Sequence, residues 1–186
     1  MGCDPKGMDP VNQFALVIYI PDPLGRFLDD LRRELVPGCS PHAHVSVLPP
    51  RPLSGEHEAA CSQARALAEE FAPFEITAGE IEIFPITNVI YIGVECGAEE
   101  LRRMHRAMAT GSFQFIEPFP YHPHITVAQE FPPELVSPLY ERARQRWKEY
   151  SGPRTFRAEQ MHFVQNTAQK RWMDLQQIWL GAVPVL

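Results

Sequence analysis

Basic residues, long apolar runs and paired cysteines are all scarce in this sequence, and each scarcity excludes something. Lys and Arg number 17 against 23 Asp and Glu, a formal net charge of −6 over 186 residues. Tight non-specific binding to long nucleic acid needs many cationic contacts to phosphate and is not expected. No apolar run reaches the roughly 18–20 residues that span a membrane, so no membrane partner is expected. The apolar stretch from Phe14 to Ile20 lacks a basic flank before it and a small-residue cleavage site after it, and reads as a strand, not a secretion signal. Gly2 is followed at position 6 by Lys6, where a myristoylation signal wants Ser or Thr. The four cysteines, Cys3, Cys39, Cys61 and Cys96, form no Cys-x-x-Cys pair, which argues against a zinc knot or redox motif and for a reduced, cytoplasmic protein. There is no Gly-rich phosphate loop and no Gly-x-Ser-x-Gly elbow.

What is present is a chain of mixed elements. Residues 1–10, with Gly, Asp and two Pro, read as a flexible N-terminal tail, and 11–186 as a single domain, since this length supports one core or two small lobes sharing a sheet. Strands are predicted over 14–20, 42–48, 74–84, 89–94, 122–128, 156–164 and 172–180. Helices are predicted over 23–35, 56–71, 98–109 and 133–150. Leu24, Phe27, Leu28, Leu31 and Leu35 mark one face of the first helix, and Gly111 stops the third. The order β-α-β-α-β-β-α-β-α-β-β is that of an α+β or α/β chain, and it looks doubled.

The doubling is sharpest in two segments, His42-Ala43-His44-Val45-Ser46-Val47 and His122-Pro123-His124-Ile125-Thr126-Val127. Both read His-x-His-apolar-hydroxyl-Val, with the second His of each 80 residues apart. Residues two apart on a strand share a face. His44 therefore stands beside Ser46 and His124 beside Thr126, with the apolar residues opposite. Such a spacing fits an internal duplication giving two lobes about a pseudo-two-fold axis.

Imidazole beside hydroxyl, present twice, suits phosphodiester cleavage. One histidine near its ordinary pKa of ~6.5 takes a proton from the attacking oxygen, and the other gives one to the leaving oxygen. The hydroxyls hydrogen-bond the non-bridging oxygens, where transition-state charge resides. No metal or cofactor is needed.

On these residues the chain resembles the 2H phosphoesterase superfamily, and within it the 2′-5′ RNA ligase and cyclic phosphodiesterase group. Pro123-His124-Ile125-Thr126-Val127 looks like that family's second motif. His44-Val45-Ser46-Val47-Leu48 looks like its first, with Ser in place of the commoner Thr. The resemblance implies an α+β, bilobal, duplicated fold: two antiparallel-sheet lobes, helices packed outside, and a central cleft. It implies His44 and His124 as the acid–base pair, Ser46 and Thr126 as phosphate anchors, and the opening of 2′,3′-cyclic phosphates of nucleotides or RNA ends. A nucleotide or RNA-end phosphate ester is the expected substrate, and a monomer the expected state.

Around the motifs, His42, His122, Tyr121, Arg51 and Arg171 are candidate substrate contacts. His42 and His122 share strand faces with the motif histidines, and Arg51 follows the first motif. Arg171 lies with Lys170 and Trp172 in a predicted loop, where a cation beside an aromatic suits a nucleobase and phosphate. His57, His105 and His162 read as structural or exposed, and Arg142, Arg144, Arg146 and Lys148 as the solvent face of the fourth helix. Competing functions are 2′-5′ RNA ligation at the same site, a metal-dependent hydrolase using the His-x-His pairs as ligands, and a nucleotide-binding protein without turnover.

Overall fold

A computed structural model describes residues 9–40 and 42–181. Residues 1–8 of the expected tail lie outside the described residues, and β1 (Pro10–Tyr19) already begins at Pro10. The chain continues through α1 (Leu24–Leu35), β2 (His44–Arg51), α2 (His57–Ala68), β3 (Phe74–Ile83), β4 (Ile90–Val94) and α3 (Ala98–Met108). It then forms β5 (His124–Ala128), α4 (Val136–Glu149), β6 (Thr155–Ala158), β7 (Gln160–Thr167) and β8 (Trp172–Trp179).

The strands form two four-stranded sheets, in the orders β2-β1-β7-β8 and β5-β4-β3-β6, with every pairing antiparallel. Each motif strand is an edge strand, and β2 and β5 run close to one another where the two lobes meet. β1 is buried from Phe14 to Ile18 because it is an inner strand covered on both faces. Its Phe14, Leu16 and Ile18 join the main core, while Ala15 and Val17 turn to the other face with Val164.

The predicted strand over 156–164 is two strands. β6 joins the second sheet through β3, and β7 joins the first through β1. Phe156 and Ala158 are buried at even positions, Met161 and Phe163 at odd ones. The period-two pattern thus flips at Glu159, where the chain crosses from one sheet to the other.

The helices tie the lobes together. α1 connects two strands of the first sheet yet packs against β5 and α4, while α3 connects two strands of the second sheet yet packs against β2. α1 buries Leu24, Leu28, Leu31 and Leu35 on one face. A Cβ at Gly25 would stand 2.1 Å from the Ile20 carbonyl oxygen, so only glycine permits this close approach to the end of β1. Arg142 and Arg146 of α4 are not simply a solvent face. Both reach Glu34 of α1, at 2.5 and 3.0 Å, and lower its carboxyl pKa through hydrogen bonds that overcome the opposing effect of burial.

Candidate active site

Both motif strands begin at their second histidine. β2 opens at His44 and β5 at His124. His42 and His122 therefore precede the strands rather than extend them. The burial sequence over the first five residues is the same in both. His44, Ser46, His124 and Thr126 are half-buried, while Val45, Val47, Leu48, Ile125, Val127 and Ala128 are buried.

The likeness extends to the backbone. Leu16 and Val17 pair with Leu48 and Ser46, which leaves Val47 as an extra residue, and Ile90 and Tyr91 pair with Ala128 and Thr126, which leaves Val127 likewise. A β-bulge thus follows the hydroxyl residue in each lobe. Bulges bend a strand and re-aim its side chains, and are common beside active sites.

Each motif histidine is oriented by the carbonyl two residues before it. His44 Nδ1 lies 2.7 Å from His42 O, and His124 Nδ1 lies 2.7 Å from His122 O. A carbonyl only accepts, so Nδ1 must carry the hydrogen in both rings. In the neutral form that leaves the lone pair on Nε2. Burial is the main influence on both rings and disfavours their charged forms. It holds His124 below its ordinary pKa and His44 at about 4. The bond to the His42 carbonyl opposes the shift at His44, whereas the positive charges of Arg32, His42 and His124 reinforce it. The bond to His122 O likewise opposes the shift at His124, and the His122 charge adds to it.

Aromatic rings line both sides. In the first lobe Tyr19 pairs across the sheet with His44, stacks on His42 at 3.6 Å, and lies 4.5 Å from the His162 ring. Its hydroxyl donates to Asp174 Oδ1 at 2.5 Å. In the second lobe Tyr91 pairs with Thr126 and donates to Glu82 Oε2 at 3.0 Å. Phe84 stacks on Tyr91 at 3.9 Å and meets the His124 ring edge-on at 5.0 Å. Each tyrosine is desolvated and faces a carboxylate, so both resist ionisation, Tyr91 with a pKa near 12. Gly93 pairs with His124, and a Cβ there would stand 2.9 Å from Glu82 Oε1. His162 sits between the buried Met161 and Phe163 and opposite Val17, itself opposite Ser46. It therefore shares the motif face of the first sheet, an alternation visible in the sequence once β7 is known to join β1.

Three candidate contacts stand elsewhere. Arg51 is 1% exposed, with its guanidinium held by Glu117, by Phe113 O at 3.2 Å and by Pro49 O at 3.0 Å. A buried guanidinium needs such partners, and here they fasten the end of β2 to the 113–117 segment, so it is no cleft-mouth cation. Tyr121 donates its hydroxyl to Ser46 O at 2.7 Å and stacks flat on His105 at 3.9 Å. That face is already covered, so the ring braces β2 instead of offering a platform for a base. Arg171 is exposed in the β7–β8 turn, at the Pro10 end of β1. His44 pairs with the opposite end, at Tyr19, a separation on the order of 30 Å along the strand.

His105 completes the brace. Its Nδ1 donates to Val47 O at 2.9 Å, and its Nε2 lies 3.2 Å from Glu117 Oε1. The bulged carbonyl of an edge strand thus finds its partner in α3. Among the described residues no group of three or more His, Cys, Asp or Glu is arranged to hold a metal ion.

A family model described as the 2′-5′ RNA ligase superfamily matches residues 20–170, a span containing both motifs and both bulges. The chain belongs to the 2′-5′ RNA ligase superfamily. Escherichia coli LigT in complex with 3′-AMP has the same fold as this superfamily member, with a TM-score of 0.64, 14% identity, and coverage of 94% of this chain and 100% of that one. A crystal structure described as a phosphoesterase gives 0.63 at 16% identity with the same coverage. At these identities the likeness is one of fold. A protein of Oceanobacillus iheyensis named as a phosphoesterase is 33% identical over 81 residues. The match takes in 43% of this chain and about half, 47%, of that relative. No helix among the described residues is long and apolar enough to cross a membrane.

Proposed function

We propose that this superfamily member is a phosphodiesterase that opens 2′,3′-cyclic phosphates of nucleotides or RNA ends without a metal. His44 and His124 act as acid and base, and Ser46 and Thr126 anchor the phosphate. The observation carrying this reading is the shared orientation of the two imidazoles. Two edge strands meet, each presents one histidine, and each ring is fixed through Nδ1 with Nε2 left for chemistry.

With a cyclic phosphate between them, one Nε2 takes a proton from water as its oxygen attacks phosphorus. The bond from phosphorus to one ribose oxygen breaks, and the other histidine, protonated, gives its proton to that leaving oxygen. The product is a phosphate monoester, and the acid and base have exchanged states. Ser46 and Thr126 share the faces of their histidines, and neither side-chain hydroxyl is engaged by another described residue. Both are thus free to donate to the non-bridging oxygens.

Sealing of RNA ends opens the same cyclic phosphate at the same site, with an RNA 5′-hydroxyl in place of water as the nucleophile, and is favoured by the name of the superfamily. The net charge of −6 weighs toward the smaller substrate. Incubation with a 2′,3′-cyclic nucleotide and with RNA carrying 2′,3′-cyclic phosphate ends, followed by chromatography, separates the two. Monophosphate formation faster than joining supports the proposal, and joining faster than opening contradicts it.

A further inference from the structure

The two motifs supply no fixed positive charge, yet a phosphodiester carries a negative one. Two hydroxyls and two histidines, both disfavoured in their charged forms and only one of them protonated in the proposed reaction, leave the anion without a permanent countercharge. The arginines of α1 other than Arg32, those of α4 that reach α1, and Arg51 at the end of β2 are occupied. Arg51 pairs with Glu117, Arg33 with Asp30, Arg26 with Asp22, and Arg142 and Arg146 with Glu34.

Arg32 differs. It lies in the last turn of α1, the helix that passes from the first sheet to pack against β5. It is half-buried, and no carboxylate comes within 4.0 Å of its guanidinium among the described residues. Asp29, one turn earlier, is the one carboxylate that influences it, but the two form no ion pair, burial pushes the Asp29 carboxyl up, and its Oδ1 is buried without a hydrogen-bond partner among the described residues. The Arg32 carbonyl accepts from Cys39 Sγ at 3.5 Å, in the segment that leads into the first motif. Arg32 itself lies within electrostatic reach of His44. Shielding a guanidinium from water without a partner is costly, and an anion in the cleft would offset that cost.

We infer that Arg32 is a substrate-binding residue whose guanidinium holds the phosphate presented to His44. Resting on the phosphodiesterase reading, this deepens it: the substrate is an anion recognised by one fixed charge from α1, outside both motifs. A planar guanidinium can make two parallel hydrogen bonds to phosphate oxygens. It also discriminates a charged phosphate ester from a neutral ligand of the same shape.

Inorganic phosphate is the probe, titrated at pH 7 while the imidazole proton resonances of His44 and His124 are followed. Arg32→Gln is expected to weaken phosphate binding about tenfold or more with little change in unfolding midpoint, and Arg33→Gln, whose parent is paired at the surface, to bind as the parent does. If Arg32→Gln does not fold, Arg32→Met is read by the same criterion. A folded neutral variant that binds phosphate within about twofold of the parent overturns the inference, as does a parent whose histidine resonances ignore phosphate. Loss of cyclic-phosphate turnover is a separate result. A protein that opens no cyclic phosphate but binds phosphate through Arg32 loses the proposed reaction and keeps this site.

Discussion

His44 donates from Nδ1 to the carbonyl of His42 at 2.7 Å, and 80 residues later His124 stands at the same distance from the carbonyl of His122. The backbone of each first histidine thus sets the tautomer of the second. Side chains at 42 and 122 are free to vary without losing this bond. Its geometry depends on the chain turning into β2 and β5 at the motif histidine.

Removal of either motif imidazole removes a proton-transfer group. His44→Ala and His124→Ala are each expected to lower kcat for cyclic-phosphate opening by about 10² or more. The double variant should lose much less than the product of the two losses, because acid and base act as a unit. Steady-state rates of the three variants check this, and fully multiplicative losses would speak against a shared transition state.

Ser46→Ala and Thr126→Ala each delete one donor to the phosphate. A hydrogen bond to a charged group contributes about 1.5–3 kcal/mol, so kcat/KM should fall about tenfold or more in each. Ser46→Thr should retain most activity, since the donor stays in place. Parent-like kcat/KM in both Ala variants would remove the hydroxyls from the mechanism.

Proton affinity sets the working range. Burial first, and then neighbouring positive charges, hold His44 at about 4 and keep His124 below its ordinary value. The base form is present above these values, and the acid form is lost as pH rises through them. kcat/KM, which reports the free enzyme, should therefore peak below pH 6.5 and decline toward pH 8. A peak at or above pH 8 contradicts the assigned burial.

The same depression acts on stability. Between the folded and unfolded pKa values the unfolded chain binds more protons, so stability rises with pH there. The contribution of His44 is fully present above about 6.5 and lost as pH falls toward 4. Urea unfolding at pH 7 and pH 5 should show the parent losing more stability than His44→Gln. An equal loss in both would place that sensitivity elsewhere.

The brace behind β2 has its own test. Tyr121→Phe removes the bond to Ser46 O and keeps the stack on His105, so it should lower stability by about 1 kcal/mol. kcat should fall while binding of inorganic phosphate hardly changes. An unaltered kcat would mean that the bulge of β2 holds its shape without the hydroxyl.

Much of this architecture is legible in the sequence because it rests on short periods. A histidine and a hydroxyl two residues apart must share a strand face, and the repeat of that pair implied the two lobes. Less legible is whatever depends on partners far along the chain. Arg51 and Tyr121 have the chemistry of cleft residues, yet Glu117 and the Ser46 carbonyl claim them. His42 and His122 act through their backbone oxygens, which no side-chain pattern reveals. The break at Glu159 could have been seen, since the apolar alternation changes phase there, but the strand run hides it unless the phase is followed residue by residue.

The most direct test is hydrolysis of a 2′,3′-cyclic nucleotide by the purified protein in excess EDTA, beside the His124→Ala variant. Turnover that persists in EDTA and falls about 10² or more in the variant is the predicted result. Turnover abolished by EDTA, or carried undiminished by the variant, would contradict a mechanism built on two histidines.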